Sequence, residues 1–261
     1  MKQTFIKSLC LAMLWCGFAM QVSAQGIVVN KTDGTKVYYK ASEVQSVGVY
    51  GYDEEPEPDI DDTLDGHEYV DLGLPSGTLW ATCNVGANSP EEYGDYYAWG
   101  ETEPKSDYSW STYKYCKGSS STMTKYCTNS SYGTVDNKTE LEPSDDAATA
   151  NWGSNWQMPS LEQCKELINS SYTTTTWTTM NRVYGRKIIS NSNGNSIFLP
   201  AAGYRSDTSL YDAGSYGDYW SRSLDTSYNL AFFLGFYSSH IYTNYRSRDC
   251  GRSVRPVRVQ K

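Results

Sequence analysis

The sequence is poor in the side chains that most catalytic and nucleic-acid-binding sites require. It has two histidines, His67 and His240, and its 30 acidic residues outnumber its 22 lysines and arginines, for a formal net charge of −8. No basic cluster offsets this acidic balance, whereas phosphate binding depends on clustered cations. We therefore expect no nucleic-acid partner. No residues follow a nucleophile–base or metal-ligand pattern, so no catalytic residue, metal or cofactor is predicted.

Long apolar runs are also scarce, and one that resembles a secretory leader lies near the start of the chain. Leu9–Met20 is apolar, follows Lys2 and Lys7, and precedes small residues that end at Ala24. A membrane-spanning helix needs about 20 apolar residues, so the pattern predicts a cleaved secretory signal peptide over residues 1–24. The mature chain is expected to be secreted, periplasmic or held at the cell surface, without a transmembrane span.

The number of cysteines that follow this leader is odd. They are Cys83, Cys116, Cys127, Cys164 and Cys250. Export permits disulfides, and an odd number leaves at least one thiol unpaired within the chain. Cys116 and Cys127 flank a short polar segment and are the candidates for a disulfide. The alternative is that all five are small buried side chains.

Aromatic residues must supply part of the hydrophobic core, because large aliphatic residues are scarce. The chain has 23 tyrosines and 8 tryptophans but only 6 phenylalanines, so part of the core must be aromatic, with hydroxyl and indole groups that need partners. The same residues are typical of adaptable binding surfaces. The candidate ligand-binding residues are Tyr108, Trp110, Tyr113, Tyr132, Tyr211 and Tyr242. For each of them, the alternative is a framework role in the core.

A small N-terminal unit is predicted over residues 25–52. Asp33-Gly34 lies between Ile27–Val29 and Lys36–Tyr39, and Asp-Gly between two strand-like runs indicates a β-hairpin. A third strand is expected around residues 44–49.

An acidic, proline-containing segment over residues 53–66 is predicted to be a solvated linker. The alternative is calcium binding through Asp61, Asp65 and Gly66. A helix–loop–helix calcium site needs an acidic ligand several positions later, where this chain has Leu72.

The main domain, residues 67–261, is predicted to contain two short helices between its first and last strands. A helix start signal precedes the first predicted helix, residues 147–151. The second helix begins after Ser160, which forms a capping box with Gln163. Residues 105–144 are polar and nearly free of aliphatic side chains, which predicts a long functional or disordered loop.

Several hairpin and strand signals follow in the second half of the domain. Asn191–Gly194 is a turn between strand-like runs at residues 186–190 and 196–199. Alternating valine predicts a final strand over Ser253–Val259 with one apolar and one cationic side, and Pro256 places it at a sheet edge. The late arginines are expected to form framework ion pairs; they are Arg205, Arg222, Arg246, Arg248 and Arg252, facing Asp71, Asp95, Asp207 or Asp218.

A set of motifs spread over residues 68–259 resembles one family. The motifs are Tyr69–Gly77, Trp80–Gly86, Tyr93–Thr102, Trp156–Ser160, Gly217–Ser221 and Ser253–Arg258. Together they resemble the FISUMP (major paralogous) domain, which is similar to the C-terminal domain of the Legionella-type collagen-like adhesin. The resemblance implies an α+β, C-type-lectin-like fold shared with sulfatase-modifying proteins. Two helices, a mixed antiparallel sheet, long ordered loops and paired first and last strands belong to that fold.

The same resemblance implies a secreted or cell-surface protein of a family whose function is mostly unassigned. Together with loops rich in tyrosine, tryptophan, asparagine and serine, it favours a module without enzymatic activity whose ligand is an extracellular glycan or protein. One alternative is an oxidase like the sulfatase-modifying relatives. That chemistry needs two close reactive cysteines near the C-terminal end, where Cys250 has no cysteine within a few residues. The other alternative is a purely structural surface protein.

Overall fold

The N-terminal unit is a three-stranded antiparallel sheet. The computed structural model of the chain describes residues 20–23, 26–30, 35–40, 63–227 and 230–259, and it divides into the units Met1–Asp59 and Ile60–Lys261. The strands of the first unit are β1 (Met20–Ser23), β2 (Gly26–Asn30) and β3 (Lys36–Lys40), in the order β1-β2-β3.

The hairpin predicted around Asp33-Gly34 is confirmed by the pairing of β2 with β3, from Gly26 opposite Lys40 to Asn30 opposite Lys36. Strand β1 lies within the range predicted as a signal peptide and pairs with β2. The strand expected around residues 44–49 lies outside the described residues, as does most of the predicted linker.

The main unit is built mostly from antiparallel strands joined by long loops. Its strands are β4 (Thr63–Leu64), β5 (His67–Asp71), β6 (Thr78–Ala81), β7 (Thr173–Met180), β8 (Val183–Ser190), β9 (Ser196–Pro200), β10 (Tyr204–Ser206), β11 (Ser209–Tyr211), β12 (Gly217–Asp225), β13 (Leu230–Tyr237), β14 (His240–Arg246) and β15 (Val257–Val259). Within the described residues they form sheets in the orders β15-β6-β5-β4, β7-β8-β9, β10-β11 and β12-β13-β14. The paired strands all run antiparallel, which confirms an α+β chain dominated by antiparallel sheet.

The first and last strands of this unit share a sheet, but they are not direct neighbours. Strand β6 lies between them and pairs with β5 on one side and β15 on the other. The expectation that the two end strands pair directly is therefore wrong. The unit also begins earlier than predicted, because Thr63 and Leu64 pair with Glu68 and His67.

Both predicted helices are present, and each begins where its capping residue lies. Helix α1 (Ala147–Trp152) is capped by Asp146, whose carboxylate accepts a backbone hydrogen bond from three residues later. Helix α2 (Leu161–Leu167) has the predicted capping box, with both bonds between Ser160 and Gln163 formed. No helix within the described ranges has the length and apolar character needed to cross a membrane.

Sheet β12-β13-β14 lies between two clusters of core side chains. Trp220 and Phe233 are partners across β12 and β13, and both belong to a cluster rich in tyrosine and tryptophan. Their neighbours Tyr219 and Leu234 are also partners, and they belong to a second, more aliphatic cluster. Because successive side chains of a strand point to opposite faces, each cluster covers one face of this sheet.

A C-terminal strap, residues 248–259, connects the sheets, and residues 251–257 within it are all buried. The backbone N–H of Tyr97 donates to the Arg252 carbonyl (3.0 Å), that of Trp220 to the Ser253 carbonyl (3.1 Å), and that of Ala81 to the Pro256 carbonyl (3.0 Å). The strap therefore pairs with a loop, with β12 and with β6 in succession.

Arg255 lies at the centre of this strap and is only 1% exposed. Its Nε donates to Asn84 Oδ1 (2.8 Å), and its Nη1 donates to the carbonyls of Ala81 (3.0 Å) and Thr82 (2.6 Å). Its Nη2 donates to the Phe198 carbonyl in β9 (3.0 Å). One guanidinium thus joins the strap to two separate sheets.

The final strand is shorter than the alternating pattern predicted. Strand β15 covers Val257–Val259 rather than Ser253–Val259, and Pro256 directly precedes it. The strand lies at a sheet edge, as expected beside a residue without a backbone donor. The predicted cationic side is not a surface, because Arg255 points into the core.

The expected arginine ion pairs are present only in part. Arg252 Nε lies 3.3 Å from Asp218 Oδ2, as predicted. Arg222 pairs instead with Glu140 (3.2 Å), a residue of the long loop. The guanidinium of Arg248 is fully buried against aromatic rings.

The predicted long loop is confirmed as a segment without regular secondary structure, and it is ordered. After β6, the next helical element is the 3-10 turn Pro143–Asp145. Isolated bridges join Tyr108 to Asp207 and Glu140 to Ser223. The loop is therefore tied into the main unit at both ends.

An ion-pair network fixes the end of this loop to the start of α1. Lys125 Nζ lies 2.5 Å from Asp145 Oδ2 and also contacts Glu142, and the Tyr126 hydroxyl donates to Asp145 (2.7 Å). Burial by itself would raise the pKa of Asp145, but the hydrogen bonds from Lys125 and Tyr126 outweigh it and lower that pKa.

The predicted disulfide between Cys116 and Cys127 is not formed. The five cysteines that follow residue 24 are free thiols. The Cys116 thiol donates to the Trp110 carbonyl (3.1 Å), whereas the Cys127 thiol is buried and donates to the Asn129 carbonyl (3.1 Å). The two sulfurs are thus engaged with different backbone segments.

Replacing Arg255 with lysine should strongly destabilise the main unit. An ammonium concentrates its donors on one atom and cannot reach acceptors on both sheets, so buried carbonyls lose partners at about 1–3 kcal/mol each. We expect the free energy of unfolding, measured with urea, to fall by about 3 kcal/mol or more. Arg258→Lys is the control, since Arg258 is half-buried in the same segment. Equal losses in both variants would contradict the role assigned to Arg255.

Asp145→Asn should cost more stability at neutral pH than in acid. Because the pKa of Asp145 is lowered in the folded state, its ionised form stabilises the fold above the ordinary aspartate pKa of about 3.9. That contribution is lost as the pH falls through the lower folded-state value. The difference in unfolding free energy between wild type and variant should therefore shrink between about pH 5 and about pH 2.

Glu162→Gln is the matched control, because Glu162 pairs with Lys165 while its side chain remains 78% exposed. Its effect should be small at every pH. An Asp145→Asn effect that stays constant down to the lowest pH would rule out the ionised network as its source.

Candidate functional site

The structure separates the six predicted ligand-binding residues into three groups. Tyr108 and Tyr113 are core residues, 1% and 3% exposed, so the interpretation of their rings as ligand contacts is wrong. Their hydroxyls donate to the carbonyls of Tyr96 (2.6 Å) and Trp99 (2.7 Å). Trp110 and Tyr132 are half-buried against the same core cluster. Tyr211 is exposed and Tyr242 half-buried, and each belongs to a group of aromatic rings outside that cluster's buried residues.

We give the name tyrosine face to these two groups of rings, whose members are Tyr204, Tyr211, Tyr216, Tyr237, His240 and Tyr242. Strand register places its larger part at one end of sheet β12-β13-β14. Tyr237 is the cross-strand partner of His240, and in the next row Asp218, Gly235 and Tyr242 are partners across three strands. Because antiparallel partners share a face, these side chains project to the same side.

Ring contacts connect the residues of this end of the sheet. The Tyr216 ring lies 5.3 Å from that of Tyr237, and Tyr237 lies 6.3 Å from Tyr242. His240 stacks on Tyr242 with 5.6 Å between ring centroids and 17° between planes. A Cβ on Gly235 would come within 2.9 Å of the Tyr242 ring, so glycine at 235 lets that ring lie flat on the sheet.

The second part of the tyrosine face is the β10-β11 hairpin. Tyr204 and Tyr211 are cross-strand partners whose rings stack at 5.5 Å and 22°. Gly203 lets the chain turn close beneath them, because a Cβ there would come 2.0 Å from the Tyr211 carbonyl oxygen and its φ of +65° favours glycine. The N–H of Gly203 also donates to the Tyr216 carbonyl (2.7 Å), which joins the two parts.

A buried ion pair lies beneath the tyrosine face. Arg252 is 2% exposed, contacts Asp218, and places its guanidinium carbon 5.5 Å from the Tyr204 ring and 4.3 Å from the Trp220 ring. The side chain of Asp218 keeps 10% of its area exposed. Burial raises the pKa of Asp218, and the charge of Arg252 offsets part of that rise.

Hydroxyl groups distinguish this surface from the core. Five core tyrosines donate to protein oxygens, and these bonds are Tyr96 to Ala202, Tyr108 to Tyr96, Tyr113 to Trp99, Tyr126 to Asp145 and Tyr219 to Pro200. The core residue Tyr115 differs, because its buried hydroxyl has no hydrogen-bond partner among the described residues. Within the described part of the chain, the hydroxyls of the five tyrosines on the tyrosine face make no such bond. Burial raises the pKa of Tyr204 and Tyr242. These hydroxyls therefore keep their protons at neutral pH and can donate.

Four residues of the tyrosine face were not among the sequence candidates: Tyr204, Tyr216, Tyr237 and His240. One local signal pointed to part of the set. Ser238-Ser239 separates two alternating runs, and Tyr237 and Tyr242 occupy the positions that share a face when a two-residue turn joins the strands. No comparable local signal brings Tyr216 to Tyr237, because that contact depends on how β12 pairs with β13.

Other parts of the main unit offer less for recognition. A cleft lined by Thr82, Met180 and Phe198 has a volume of about 130 Å³, below the roughly 300–1,000 Å³ of small-molecule sites. Within the described residues, no group of three or more histidine, cysteine or carboxylate side chains is placed to hold a metal. Burial raises the pKa of the Cys250 thiol, which disfavours the reactive thiolate.

Arg186 fixes the tip of the hairpin that carries the tyrosine face. Its side chain is buried in β8, and its Nη2 donates to the carbonyls of Tyr237 (2.8 Å) and Ser238 (3.2 Å). Its Nη1 donates to Thr175 Oγ1 in β7 (2.8 Å). The turn between β13 and β14 is thus held by a separate sheet rather than by its own residues alone.

Arg186→Lys should loosen this turn without unfolding the unit. Lysine cannot hold two carbonyls and a hydroxyl at once. We expect amide hydrogen exchange over residues 237–240 to become about tenfold faster, which corresponds to about 1.4 kcal/mol of local stability. Lys187→Ala, at the exposed neighbouring position, is the control and should leave exchange unchanged. Protection that persists in Arg186→Lys would show that the turn does not depend on this guanidinium.

Comparisons of the chain with protein-family models, curated proteins and solved structures found no match. The tyrosine face is therefore interpreted from its own chemistry. It combines apolar ring surfaces, hydroxyls without protein partners and a partly accessible carboxylate.

Proposed function

We propose that the chain is a non-enzymatic binding module that recognises an extracellular glycan or protein through the tyrosine face. The leader-like residues 1–24 support export, with the mature protein secreted or held at the cell surface. The motifs of the main unit, its two short helices and its long ordered loops support a C-type-lectin-like scaffold of the FISUMP type.

The observation that carries this proposal is the contrast between the two sets of tyrosines. The core residues Tyr108, Tyr113 and Tyr219 use their hydroxyls to satisfy buried carbonyls, whereas the tyrosines of the tyrosine face leave theirs unused within the described residues. Tyr211 and Tyr216 are 44% and 38% exposed. Tyrosine buries a large apolar area and adds a polar group while losing little conformational entropy, so such residues are favoured at binding surfaces.

Two kinds of chemistry fit this surface less well. His240 contacts the rings of Tyr237 and Tyr242, and within the described residues its ring makes no hydrogen bond to a hydroxyl or thiol that it could activate. An oxidase of the sulfatase-modifying type needs ionised, paired thiols, whereas burial raises the pKa of the Cys250 thiol. Stacking and hydrogen bonding remain the chemistry that the tyrosine face supplies.

The test is to probe the full chain on arrays of purified glycans and of extracellular proteins. Replacing both Tyr211 and Tyr216 with alanine should weaken binding to every target by tenfold or more, or about 1.4 kcal/mol. Tyr172→Ala is the matched control, because Tyr172 is 37% exposed and lies in the turn before β7, outside the tyrosine face. It should bind like wild type.

Two results would contradict the proposal. One is a folded wild-type chain that binds nothing on either array. The other is a target whose binding is lost in Tyr172→Ala but kept in the double variant, since recognition would then lie elsewhere on the molecule.

A further inference from the structure

The geometry of the tyrosine face restricts the ligand further than the proposed function does. Two pairs of rings lie nearly parallel: Tyr204 with Tyr211, and His240 with Tyr242. The rings of each pair stack on each other, so a pair offers a ligand one outer ring face. The C–H faces of pyranose rings are flat and apolar while their edges carry hydroxyls, so one outer ring face matches one sugar ring.

Asp218 is linked to both ring pairs, through Arg252 to Tyr204 and through strand register to Tyr242, and it supplies a directional acceptor. Its Oδ2 faces Arg252 at 3.3 Å, and within the described residues its Oδ1 has no hydrogen-bond partner. Asp218 on β12 and Tyr242 on β14 are both cross-strand partners of Gly235 on β13, so they lie two strands apart on the same face. The charge of Asp218 acts on both Tyr204 and Tyr242. A carboxylate with a free oxygen beside aromatic rings accepts hydrogen bonds from vicinal hydroxyls.

The charges around the tyrosine face disfavour an acidic ligand. Asp218 and Asp212 act on these rings with a negative charge, and Arg246 acts on Tyr242 with a positive one. Arg252 is already engaged by Asp218. The whole chain has a net charge of −8, so a polyanion would approach against the overall field.

A protein ligand fits less well than a sugar. Stable protein interfaces bury about 800 Å² per partner around an apolar core. Among the exposed large hydrophobic side chains of the described residues, Leu210 is the one aliphatic residue next to the tyrosine face. The surface therefore offers rings and hydroxyls without the aliphatic contacts of a protein interface.

From these observations we propose that the ligand is a neutral polysaccharide. Successive sugars stack on the two ring pairs, and their hydroxyls donate to Asp218 and bond the free tyrosine hydroxyls. This inference rests on the proposed function and names the class of ligand for the same surface. Asp218 is the residue that selects vicinal hydroxyls.

Affinity electrophoresis of the full chain tests this directly. The gels contain dextran, mixed-linkage β-glucan, xylan or galactomannan as neutral probes, and polygalacturonate or alginate as acidic ones. At least one neutral polysaccharide should retard the wild-type chain, and the acidic ones should not. Tyr211→Ala and Tyr242→Ala should each weaken that retardation tenfold or more, whereas Tyr172→Ala should not change it.

Two further variants separate stacking from hydrogen bonding. Tyr242→Phe keeps the ring and loses the hydroxyl, so it should weaken affinity only about threefold, within the net contribution of one hydrogen bond. Asp218→Asn removes the charge that accepts hydroxyl bonds and should weaken affinity tenfold or more. Circular dichroism verifies that each variant is folded. Because Tyr211 is 44% exposed, replacing it with alanine tests binding without disturbing the core.

The outcomes distinguish this inference from the proposed function. Retardation by acidic polysaccharides alone, or by none of the probes, overturns the neutral-polysaccharide inference. If an extracellular protein then binds in a manner lost in the Tyr211 and Tyr216 double variant, the proposed function stands while the inference fails. Retardation that persists in both Tyr211→Ala and Tyr242→Ala also overturns the inference, because the sugar would bind elsewhere.

Discussion

The buried guanidinium of Arg255 is the interaction on which the rest of the structure depends. Moving a charge from water into a protein interior costs several kcal/mol unless its donors are satisfied. All four hydrogen bonds of Arg255 end on neutral oxygens, three of them backbone carbonyls, so convergent dipoles rather than a counter-charge stabilise it. Those carbonyls belong to β9 and to the end of β6. The fold is therefore restricted to arrangements in which both strands meet the C-terminal strap, which in turn pairs with β12 and orients the sheet that carries the tyrosine face.

Tyrosine serves two purposes that the composition alone does not separate. A chain with few aliphatic side chains must bury aromatic ones, and each buried hydroxyl needs an acceptor. Irregular loops supply those acceptors, because their carbonyls are not all used by sheet hydrogen bonds; Tyr113 bonding to the Trp99 carbonyl is one example. Long ordered loops and a tyrosine-rich core therefore support each other. The exposed Tyr211 and Tyr216 have no such acceptor within the described residues, so their hydroxyls can be solvated or bind a ligand.

The features that the sequence predicted are those determined by neighbours in the chain. Asp146 and Ser160 cap helices because the groups they bond lie three residues away, and Asn191–Gly194 turns because of its own backbone preferences. The features that it did not predict depend on distant partners. Tyr108 is buried because Asp207, a hundred residues later, bridges to its backbone, and the arginine of the final segment is buried because three distant carbonyls converge on it. Two of the six aromatic candidates lie on the tyrosine face for the same reason: exposure is decided by strand pairing.

The long loop and the β13-β14 hairpin use their polar groups differently. Residues 105–144 supply Tyr108, Tyr113 and Tyr126 to the core, and the Lys125–Asp145 ion pair holds the end of the loop in place. Many side chains of this loop therefore stabilise the fold. The β13-β14 hairpin is constructed in the opposite way. Its strands are regular and satisfy their own backbone groups, and its turn is held by Arg186 from a neighbouring sheet. Its central side chains, among them Phe233 and Leu234, pack in the core, whereas Tyr237 and His240 lie at its tip outside the buried clusters. A rigid hairpin with unoccupied rings loses little conformational entropy on binding, and this is why recognition is assigned to the sheet end rather than to the loop.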